Sequence, residues 1–367
     1  MTEPVNTEIA RYYYVARTVH VERQSEYRPG WLFYSRTRAD FDEDLAIRTP
    51  GVKRASAWAV GRFVVRHGVR VLEMPEPLAV PVWPHAVIVH SRVLVHNILR
   101  PRSARIRIVT YAIENLSPEA KFRGRLPLPG WAARAIVSLF GGFLLRTTDR
   151  VVFGTQAALD TYLEALPSAM KRPGLETELV WALPMRGNDL GTEVRPPTVV
   201  FLGTFEERKG IHHLLRAWPR IVSVLPDARL ILMGKAGDID VVREFARTRP
   251  EVTLLEDPPR ARIFEVLRES KSLVLFSQPT PVWKEQVGLP ILEALSQGCE
   301  IVSSDETGIA DWLAEAGHQV VAQGADDEEL AEAILRSLRS QRTPAEIVAG
   351  LPVEDTRKTA DDAMFAA

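Results

Sequence analysis

The stretch Glu285-Gln286-Val287-Gly288-Leu289-Pro290-Ile291-Leu292-Glu293 decides the fold and chemistry of this 367-residue chain. Proline presets the helical φ and needs no N–H at the first helical position, so the stretch predicts a helix that begins at Pro290. Gly298 then provides a C-terminal stop. We therefore expect Glu285 in the loop before the helix and Glu293 one turn inside it.

A helix start of this kind predicts an anion site. The free N–H groups near Gly288 and Leu289, together with the positive end of the helix dipole, attract negative charge. Two carboxylates, Glu285 and Glu293, flank this position. An anion site between two carboxylates suits a phosphate joined to hydroxyl-rich groups, as in a nucleotide sugar.

The composition is that of a globular protein with room for two domains. Apolar residues make up 46% of the chain and charged residues 25%. The single cysteine, Cys299, excludes an intrachain disulfide and a multi-cysteine metal site. The polar, acidic first residues predict no signal peptide, and no apolar run approaches the roughly 20 residues of a spanning helix, so we expect a cytoplasmic protein.

Charge is distributed unevenly along the chain. Residues 1–195 carry 27 Lys/Arg against 19 Asp/Glu, a net charge of +8, whereas residues 196–367 have a net charge of −9. The basic half predicts an anionic acceptor or peripheral contact with the inner face of a membrane, and no nucleic acid partner is expected. The alternative is an arginine-rich surface without a partner. The basic residues in the middle of this half are Arg62, Arg66, Arg70, Arg100, Arg102, Arg105, Arg107, Lys121, Arg123 and Arg125.

The second half alternates short apolar runs with amphipathic segments. This pattern predicts a parallel sheet with helices on both faces, whose ligands bind beyond the C-terminal ends of the strands. Gly203, Gly234, Ser277 and Gly288 fall at or just after such ends. The predicted strands are 198–202, 228–233, 252–255, 273–276, 300–303 and 318–321, and the predicted helices are 212–224, 241–247, 260–269, the one from Pro290, 311–316 and 327–340.

The first half also reads as α/β, but no glycine-rich turn follows its first strand. The predicted strands are 12–16, 31–34, 69–74, 105–110, 150–153 and 178–182, and the predicted helices are 53–66, 132–145 and 156–166. The apolar segment 132–145, rimmed by arginines, fits either a membrane-interface helix or a buried one. The well-formed strand that follows favours the buried helix.

These sequence patterns divide the chain into four segments. An N-terminal domain spans 1–185, a linker 186–196 and a C-terminal domain 197–342. A polar tail with helical stretches, 343–367, is expected to fold back on the first domain.

Three motifs resemble glycosyltransferase family four. They are Phe201-Leu202-Gly203, Glu207-Arg208-Lys209-Gly210-Ile211 and the Glu285–Glu293 stretch, and their order and spacing match across 198–340. The resemblance implies the GT-B fold, two Rossmann-like α/β domains that face each other across a cleft. Residues 1–195 resemble the family only loosely, through Glu76-Pro77 after one strand and Tyr111 after another.

For the donor side, the resemblance implies a role for each motif residue. Lys209 and Arg208 would contact the diphosphate, Glu285 the hydroxyls of the transferred sugar, and Glu293 the ribose hydroxyls. The backbone at Gly288 and Leu289 would bind phosphate, with Gly203 and Gly234 at the neighbouring strand ends. For each side chain the alternative is an ordinary solvated residue.

The chain departs from the family pattern at two donor-side positions. Thr204 replaces an arginine that the family usually places after the strand glycine, which puts phosphate binding in doubt. Gln286-Val287 replaces the usual Gly-Phe, so the identity of the sugar does not follow from the resemblance.

On the acceptor side, the family's usual histidine is replaced by Tyr111, which cannot easily act as a base near neutral pH. Glu114, Asn115 and Glu76 are further acceptor-side candidates, with a structural turn as the alternative. His85, His90 and His96 lack a convincing metal spacing and are expected to be structural.

The resemblance implies a metal-independent, retaining transfer of a sugar from a nucleoside-diphosphate sugar to an acceptor hydroxyl. No cofactor beyond the donor is expected, which fits the absence of a DxD-type carboxylate cluster at a strand end. The acceptor would be a glycan, a lipid-linked molecule or a small molecule, in cell-envelope, exopolysaccharide or secondary-metabolite synthesis. Two other classes stay open: a non-catalytic GT-B scaffold or regulator, and a nucleotide-sugar epimerase or a phosphorylase.

Overall fold

The computed structural model describes residues 7–38, 41–123 and 128–366. The chain forms two compact units, one of residues 1–180 with 357–367 and one of residues 181–356. Each unit is built on a single parallel sheet. Among the described helices, none is long and apolar enough to cross a membrane.

The sheet of the first unit has seven strands in the order β3-β2-β1-β4-β5-β6-β7. Its strands are β1 (Ile9–Ala16), β2 (Trp31–Thr37), β3 (Val52–Arg54), β4 (Val71–Glu73), β5 (Arg107–Ala112), β6 (Arg150–Phe153) and β7 (Glu176–Leu179). Its helices before residue 180 are α1 (Thr18–Glu26), α2 (Glu43–Arg48), α3 (Ala57–Arg66), α4 (Trp83–Ile98), α5 (Pro118–Arg123), α6 (Gly130–Arg146), α7 (Gln156–Ala165) and α8 (Pro167–Met170).

The predicted helix 53–66 is wrong in its first part. Val52–Arg54 is an edge strand paired with β2, and the helix begins only at Ala57. Ser56 separates the two because its side chain accepts a hydrogen bond from the N–H of Ala59 and so caps the helix. Arg125 lies outside the described residues.

Helix α6 buries one face in the first unit. Val137, Leu144 and Leu145 are buried in its core, as predicted for segment 132–145. The opposite face stays apolar, with Trp131 71% and Leu139 65% exposed.

The sheet of the second unit has six strands in the order β10-β9-β8-β11-β12-β13. Its strands are β8 (Thr198–Leu202), β9 (Arg229–Gly234), β10 (Val252–Glu256), β11 (Ser272–Leu275), β12 (Glu300–Ser304) and β13 (Gln319–Val321). Its helices are α9 (Ile211–Val224), α10 (Ile239–Arg247), α11 (Arg260–Glu269), α12 (Leu289–Ser296), α13 (Ala310–Glu315), α14 (Asp327–Arg339) and α15 (Pro344–Ala349). Every strand and helix predicted for this half is present, within about two residues at its ends.

Arg195 anchors the segment 186–196 to the second unit. Its guanidinium donates to the carbonyls of Leu267 at 3.1 Å, Ser270 at 2.7 Å and Gln297 at 2.6 Å. These carbonyls lie at the ends of α11 and α12, where helices leave acceptors unsatisfied. One arginine thus caps two helices that flank β11.

The last helix, α16 (Thr356–Phe365), returns to the first unit. Its Asp361 accepts hydrogen bonds from Arg11 in β1 at 2.8 and 3.0 Å. Its Arg357 donates to Glu73 at the end of β4, at 2.8 Å. Residues 357–367 therefore belong to the first unit, whereas α15, which also lies in the predicted tail 343–367, belongs to the second unit.

Glu300 at the start of β12 is a buried carboxylate that contacts three polar side chains. It accepts hydrogen bonds from Ser340 at 2.6 Å and from Arg342 at 2.8 Å, and it contacts His318 at 3.3 Å. Burial opposes its ionisation, but the hydrogen bonds from His318, Arg342 and Ser340 outweigh burial and lower its pKa from 4.5 to about 2.

The lowered pKa of Glu300 predicts an acid-sensitive second unit. The stabilisation is present above pH 4.5 and is lost as the pH falls from there towards 2. We expect Glu300→Gln to destabilise the protein by on the order of 2 kcal/mol at pH 7, and by much less near pH 2.5. Urea unfolding of both proteins across this range measures the difference. A gap that does not change with pH would show that the charge of Glu300 is not what stabilises the fold.

Candidate functional site in the second unit

Three segments of the second unit meet beyond the C-terminal ends of β8 and β11. They are the loop 203–210 after β8, the loop 276–288 after β11, and the start of α12. The N–H of Gln278 in the second loop donates to the carbonyl of Arg208 in the first at 2.9 Å. This edge of a parallel sheet is where such folds bind ligands.

Gly210 is the residue that lets the two loops touch. It has φ +77°, and a Cβ there would lie 2.1 Å from the carbonyl oxygen of Phe276. No other residue type fits both the left-handed conformation and the contact. The glycine after Lys209 therefore brings this lysine to the end of β11.

Lys209 and Glu285 form a mostly buried ion pair. The Nζ of Lys209 contacts Oε2 of Glu285, and their side chains are 14% and 11% exposed. Ser277, directly after β11, donates its hydroxyl to the same Oε2 at 3.1 Å. A cation and a carboxylate, 76 positions apart in the sequence, are thus held in contact at one strand end.

The indole ring of Trp283 lies against both basic side chains of the Arg208-Lys209 pair. The Arg208 guanidinium lies 4.4 Å and the Lys209 ammonium 4.8 Å from the centre of its ring. Arg208 also pairs with Glu206 at 2.5 Å. The indole thus lies against two cations that pair with different carboxylates, Lys209 with Glu285 and Arg208 with Glu206. A cation over an aromatic face is stabilised electrostatically.

Helix α12 begins at Leu289, so Pro290 is its second residue and not its first as predicted. Gly288 is the N-cap and has φ +78°, and no side chain caps this helix end. Leu289 is 64% exposed. The geometry leaves the positive end of the helix open to an anion.

Glu293 lies one turn inside α12, as predicted. Its side chain is 25% exposed and lies 3.7 Å from the exposed guanidinium of Arg260. Burial raises the pKa of Glu293, and Arg260 partly opposes this. A half-buried carboxylate with one weak ion pair has hydrogen-bonding capacity left for a ligand.

Gly203 and Gly234 end neighbouring strands in close contact. A Cβ on Gly234 would lie 1.8 Å from the carbonyl oxygen of Gly203, so no side chain fits there. The next residue, Thr204, has a buried hydroxyl without a hydrogen-bond partner among the described residues. Buried polar atoms usually have a partner, so this hydroxyl is available to a ligand group or a water molecule.

In the first unit, two of the acceptor-side candidates are in contact. The N–H of Glu114 and the hydroxyl of Tyr162 each donate to Oε2 of Glu76 at 3.2 Å. Lys121 pairs with the Glu114 carboxylate. Burial, with a smaller contribution from the charge of Glu114, raises the pKa of Glu76 to about 7.

Tyr111 and Asn115 lie in other surroundings. The Arg357 guanidinium lies 4.3 Å from the centre of the Tyr111 ring, and this ring packs with the residues of β5, β6 and α16. Asn115 is buried at 6% exposure. His90 is buried beside Thr147, at 2.8 Å, and burial lowers its pKa to about 3, as expected of a structural histidine.

Three members of these sites were not predicted from the sequence, namely Trp283, Tyr162 and Lys121. Trp283 stands two residues before Glu285, and an aromatic residue in a loop beside a candidate carboxylate is the signal that was available. Tyr162 and Lys121 lie inside helical segments and gave no such signal.

Comparisons with known proteins agree with this geometry. Residues 196–340 match the family model "Glycosyl transferases group 1". An alpha-maltose-1-phosphate synthase of Mycolicibacterium smegmatis is 25% identical over 252 residues, which cover 62% of this chain and 61% of that protein. A phosphatidyl-myo-inositol mannosyltransferase of the same organism is 31% identical over 156 residues, 41% of this chain and 39% of that protein. The chain thus spans less than two thirds of these curated relatives.

Solved structures match over nearly the whole chain. The lipopolysaccharide outer core galactosyltransferase WaaB has a TM-score of 0.64 at 14% identity and covers 98% of this chain and 99% of its own. Anabaena HepE in complex with UDP and glucose has a TM-score of 0.60 at 14% identity, with 98% and 96% covered.

The fold defined by these two parallel-sheet units is therefore that of the GT-B glycosyltransferases. Within it, residues 196–340 match the model of the glycosyl transferases group 1 family, and this match confirms the resemblance to family four.

Proposed function

We propose that this protein is a retaining glycosyltransferase that uses a nucleoside-diphosphate sugar. The main support for this proposal is the contact between Lys209 and Glu285, beside the open N-terminal end of α12. A cation suited to phosphate and a carboxylate suited to sugar hydroxyls touch each other. The bond between the sugar and the phosphate of the donor would then lie where Lys209 and Glu285 meet.

The chemistry follows from this arrangement. The bond between the anomeric carbon and the phosphate oxygen breaks, and its electron pair leaves with the nucleoside diphosphate. The acceptor oxygen forms its new bond on the same face, and its proton passes to the departing phosphate. Lys209, Arg208 and the N-terminus of α12 stabilise the charge that develops on the leaving group, without a metal ion.

Glu293 provides a test of donor binding. Loss of a partner for the ribose hydroxyls should weaken nucleoside diphosphate binding by roughly 1–3 kcal/mol in Glu293→Ala. Glu265→Ala, which removes an exposed carboxylate of α11 paired with Arg262, is the matched control. Titration calorimetry measures both variants, and equal affinity of Glu293→Ala and the wild type would remove Glu293 from the site.

Labelled donors distinguish the competing classes. A thermal-shift screen across UDP-, GDP-, ADP- and dTDP-sugars first identifies the donor, and incubation with that donor in labelled form follows. We expect release of the nucleoside diphosphate and transfer or slow hydrolysis of the sugar. Binding without release would indicate a non-catalytic scaffold, and an altered sugar that is still attached to its nucleotide would indicate an epimerase.

We also propose an anionic or membrane-linked acceptor and peripheral membrane contact through the first unit. A groove of about 830 Å³ runs between α3 and α4, with Trp58, Val95 and Leu99 exposed along it by 58%, 59% and 78%. Four arginines line the same groove, and neither helix contains an acidic residue. These arginines are Arg62, Arg66, Arg92 and Arg100.

Vesicle binding tests this contact. Each basic residue near an anionic surface contributes about 1 kcal/mol, so replacing Arg62, Arg66 and Arg100 by Gln should reduce binding to phosphatidylglycerol vesicles by roughly 100-fold at low salt. Replacing three exposed arginines of the second unit, Arg243, Arg247 and Arg262, should have little effect. Equal binding of the wild type to neutral and anionic vesicles would contradict the proposal and favour a small-molecule acceptor.

A further inference from the structure

A cleft of about 380 Å³ opens in the first unit beyond the C-terminal ends of β1, β2 and β3. Each strand contributes to it: Tyr14 from β1, Arg36 from β2 and Arg54 from β3. Ser56, the N-cap of α3, and His85, in the first turn of α4, complete the lining. The cleft therefore occupies the edge at which parallel sheets bind ligands.

The described lining of this cleft contains two arginines, Arg36 and Arg54, and no acidic residue. Arg36 and Arg54 have no carboxylate partner among the residues that the structure describes. Arg54 donates a long hydrogen bond to the carbonyl of Ser35, at 3.4 Å. The first turns of α3 and α4 contain no acidic residue, so the positive ends of both helix dipoles add to the two guanidinium groups.

One wall of the cleft is aromatic. The rings of Tyr14 and His85 stack with their centres 4.1 Å apart and their planes at 23°. The guanidinium of Arg36 lies 5.7 Å from the centre of the Tyr14 ring, which holds this cation at the edge of the wall. Flat rings beside a few polar groups are typical of small-molecule sites.

We infer that this cleft binds the phosphoryl group of a phosphorylated sugar or polyol, which is the acceptor. Arg36 and Arg54 take the phosphate, because guanidinium groups match its geometry with paired N–H donors. The stacked Tyr14 and His85 rings take the carbon face of the sugar or polyol ring. That this ligand is the acceptor rests on the proposed function, whereas the anion site itself is argued from the cleft alone.

The phosphoryl group has two possible sources, a soluble sugar phosphate and a phospholipid headgroup. The full-length chain is titrated calorimetrically with glucose 6-phosphate and with glucose. It is also sedimented with phosphatidylinositol and with phosphatidylcholine vesicles. Arg36→Gln and Arg54→Gln are compared with Arg48→Gln, which removes an exposed arginine of α2 outside the cleft.

Binding of glucose 6-phosphate that falls about 10-fold or more in each cleft variant, and not in Arg48→Gln, supports the site with a soluble ligand. Binding of phosphatidylinositol vesicles alone, with the same dependence on Arg36 and Arg54, supports it with a lipid headgroup. Equal binding by the cleft variants and the wild type overturns the inference, and so does the absence of binding to either probe.

Affinity for UDP and GDP is measured in the same variants. The nucleotide site proposed for the second unit should be unaffected by Arg36→Gln and Arg54→Gln. Failure of nucleotide binding in all proteins, with glucose 6-phosphate binding intact, would reject the glycosyltransferase proposal and keep the anion site.

Discussion

Replacing Lys209 by methionine should lower the rate of sugar transfer, measured per folded molecule, by on the order of 10²–10³. The ammonium is held over Trp283 and against Glu285 before any ligand arrives. A fixed cation that meets charge developing on a leaving group contributes most in the transition state. Methionine keeps the length of the side chain and its packing on Trp283, so the loss reports the charge. Steady-state release of nucleoside diphosphate measures it.

The variant Lys235→Met controls for the general effect of removing a lysine from this sheet edge. Lys235 follows β9 at the same sheet edge, and it forms an exposed pair with Asp257 at 2.9 Å. Surface pairs of this kind contribute about 0–1 kcal/mol, so Lys235→Met should be close to the wild type in both rate and stability.

A double variant separates two roles of Lys209. If the lysine only neutralises Glu285, then Lys209→Met in a Glu285→Gln background should cost no further activity, because the carboxylate charge is gone. If it stabilises the leaving group, the second change should still lower the rate by on the order of 100-fold. Equal rates of Glu285→Gln and the double variant would reject the leaving-group role.

The second unit could be predicted from sequence because its central strands are apolar on both faces and end at glycine or serine. The runs 198–202 and 273–276 are almost wholly buried. Their continuous apolar sequence therefore predicts the same buried parallel strands that the structure shows. The motif spacing also placed Lys209, Glu285 and Glu293 at one edge. Their contacts could not be predicted, because the ion pair depends on how closely Gly210 approaches Phe276.

The first unit was harder because two of its helices, α1 and α4, do not show a clear division into an apolar and a polar face. Trp83–Ile98 has Pro84 in its first turn and apolar residues around much of its circumference, so its period did not indicate a helix. Thr18–Glu26 has the opposite composition, mostly polar, and its buried residues include the polar Gln24. In both segments the packing within the fold, and not the local sequence pattern, determines that the chain is helical.

The return of α16 to the first unit depends on a buried ionic network that sequence could not reveal. Arg11 and Glu73 are cross-strand partners in β1 and β4, with Nε and Oε2 3.3 Å apart. Asp361 of α16 binds the same guanidinium, and Arg357 binds the other oxygen of Glu73. Arg11, Glu73 and Asp361 are only 3%, 3% and 1% exposed. Such groups are costly to bury singly, so the network is stable only when complete.

Asp361→Ala should therefore destabilise the first unit by roughly 3–5 kcal/mol, because it leaves the buried Arg11 guanidinium without its bidentate partner. The adjacent Asp362 offers a matched control. It pairs with Arg28 at 2.9 Å with side chains 52% and 45% exposed, so Asp362→Ala should cost about 0–1 kcal/mol. Hydrogen exchange followed by peptide mass measurement should show faster exchange in α16 and β1 of Asp361→Ala, with the second unit unchanged. Equal protection of α16 in the two variants would mean that the apolar contacts of Met364 and Phe365, and not the ionic network, hold this helix in place.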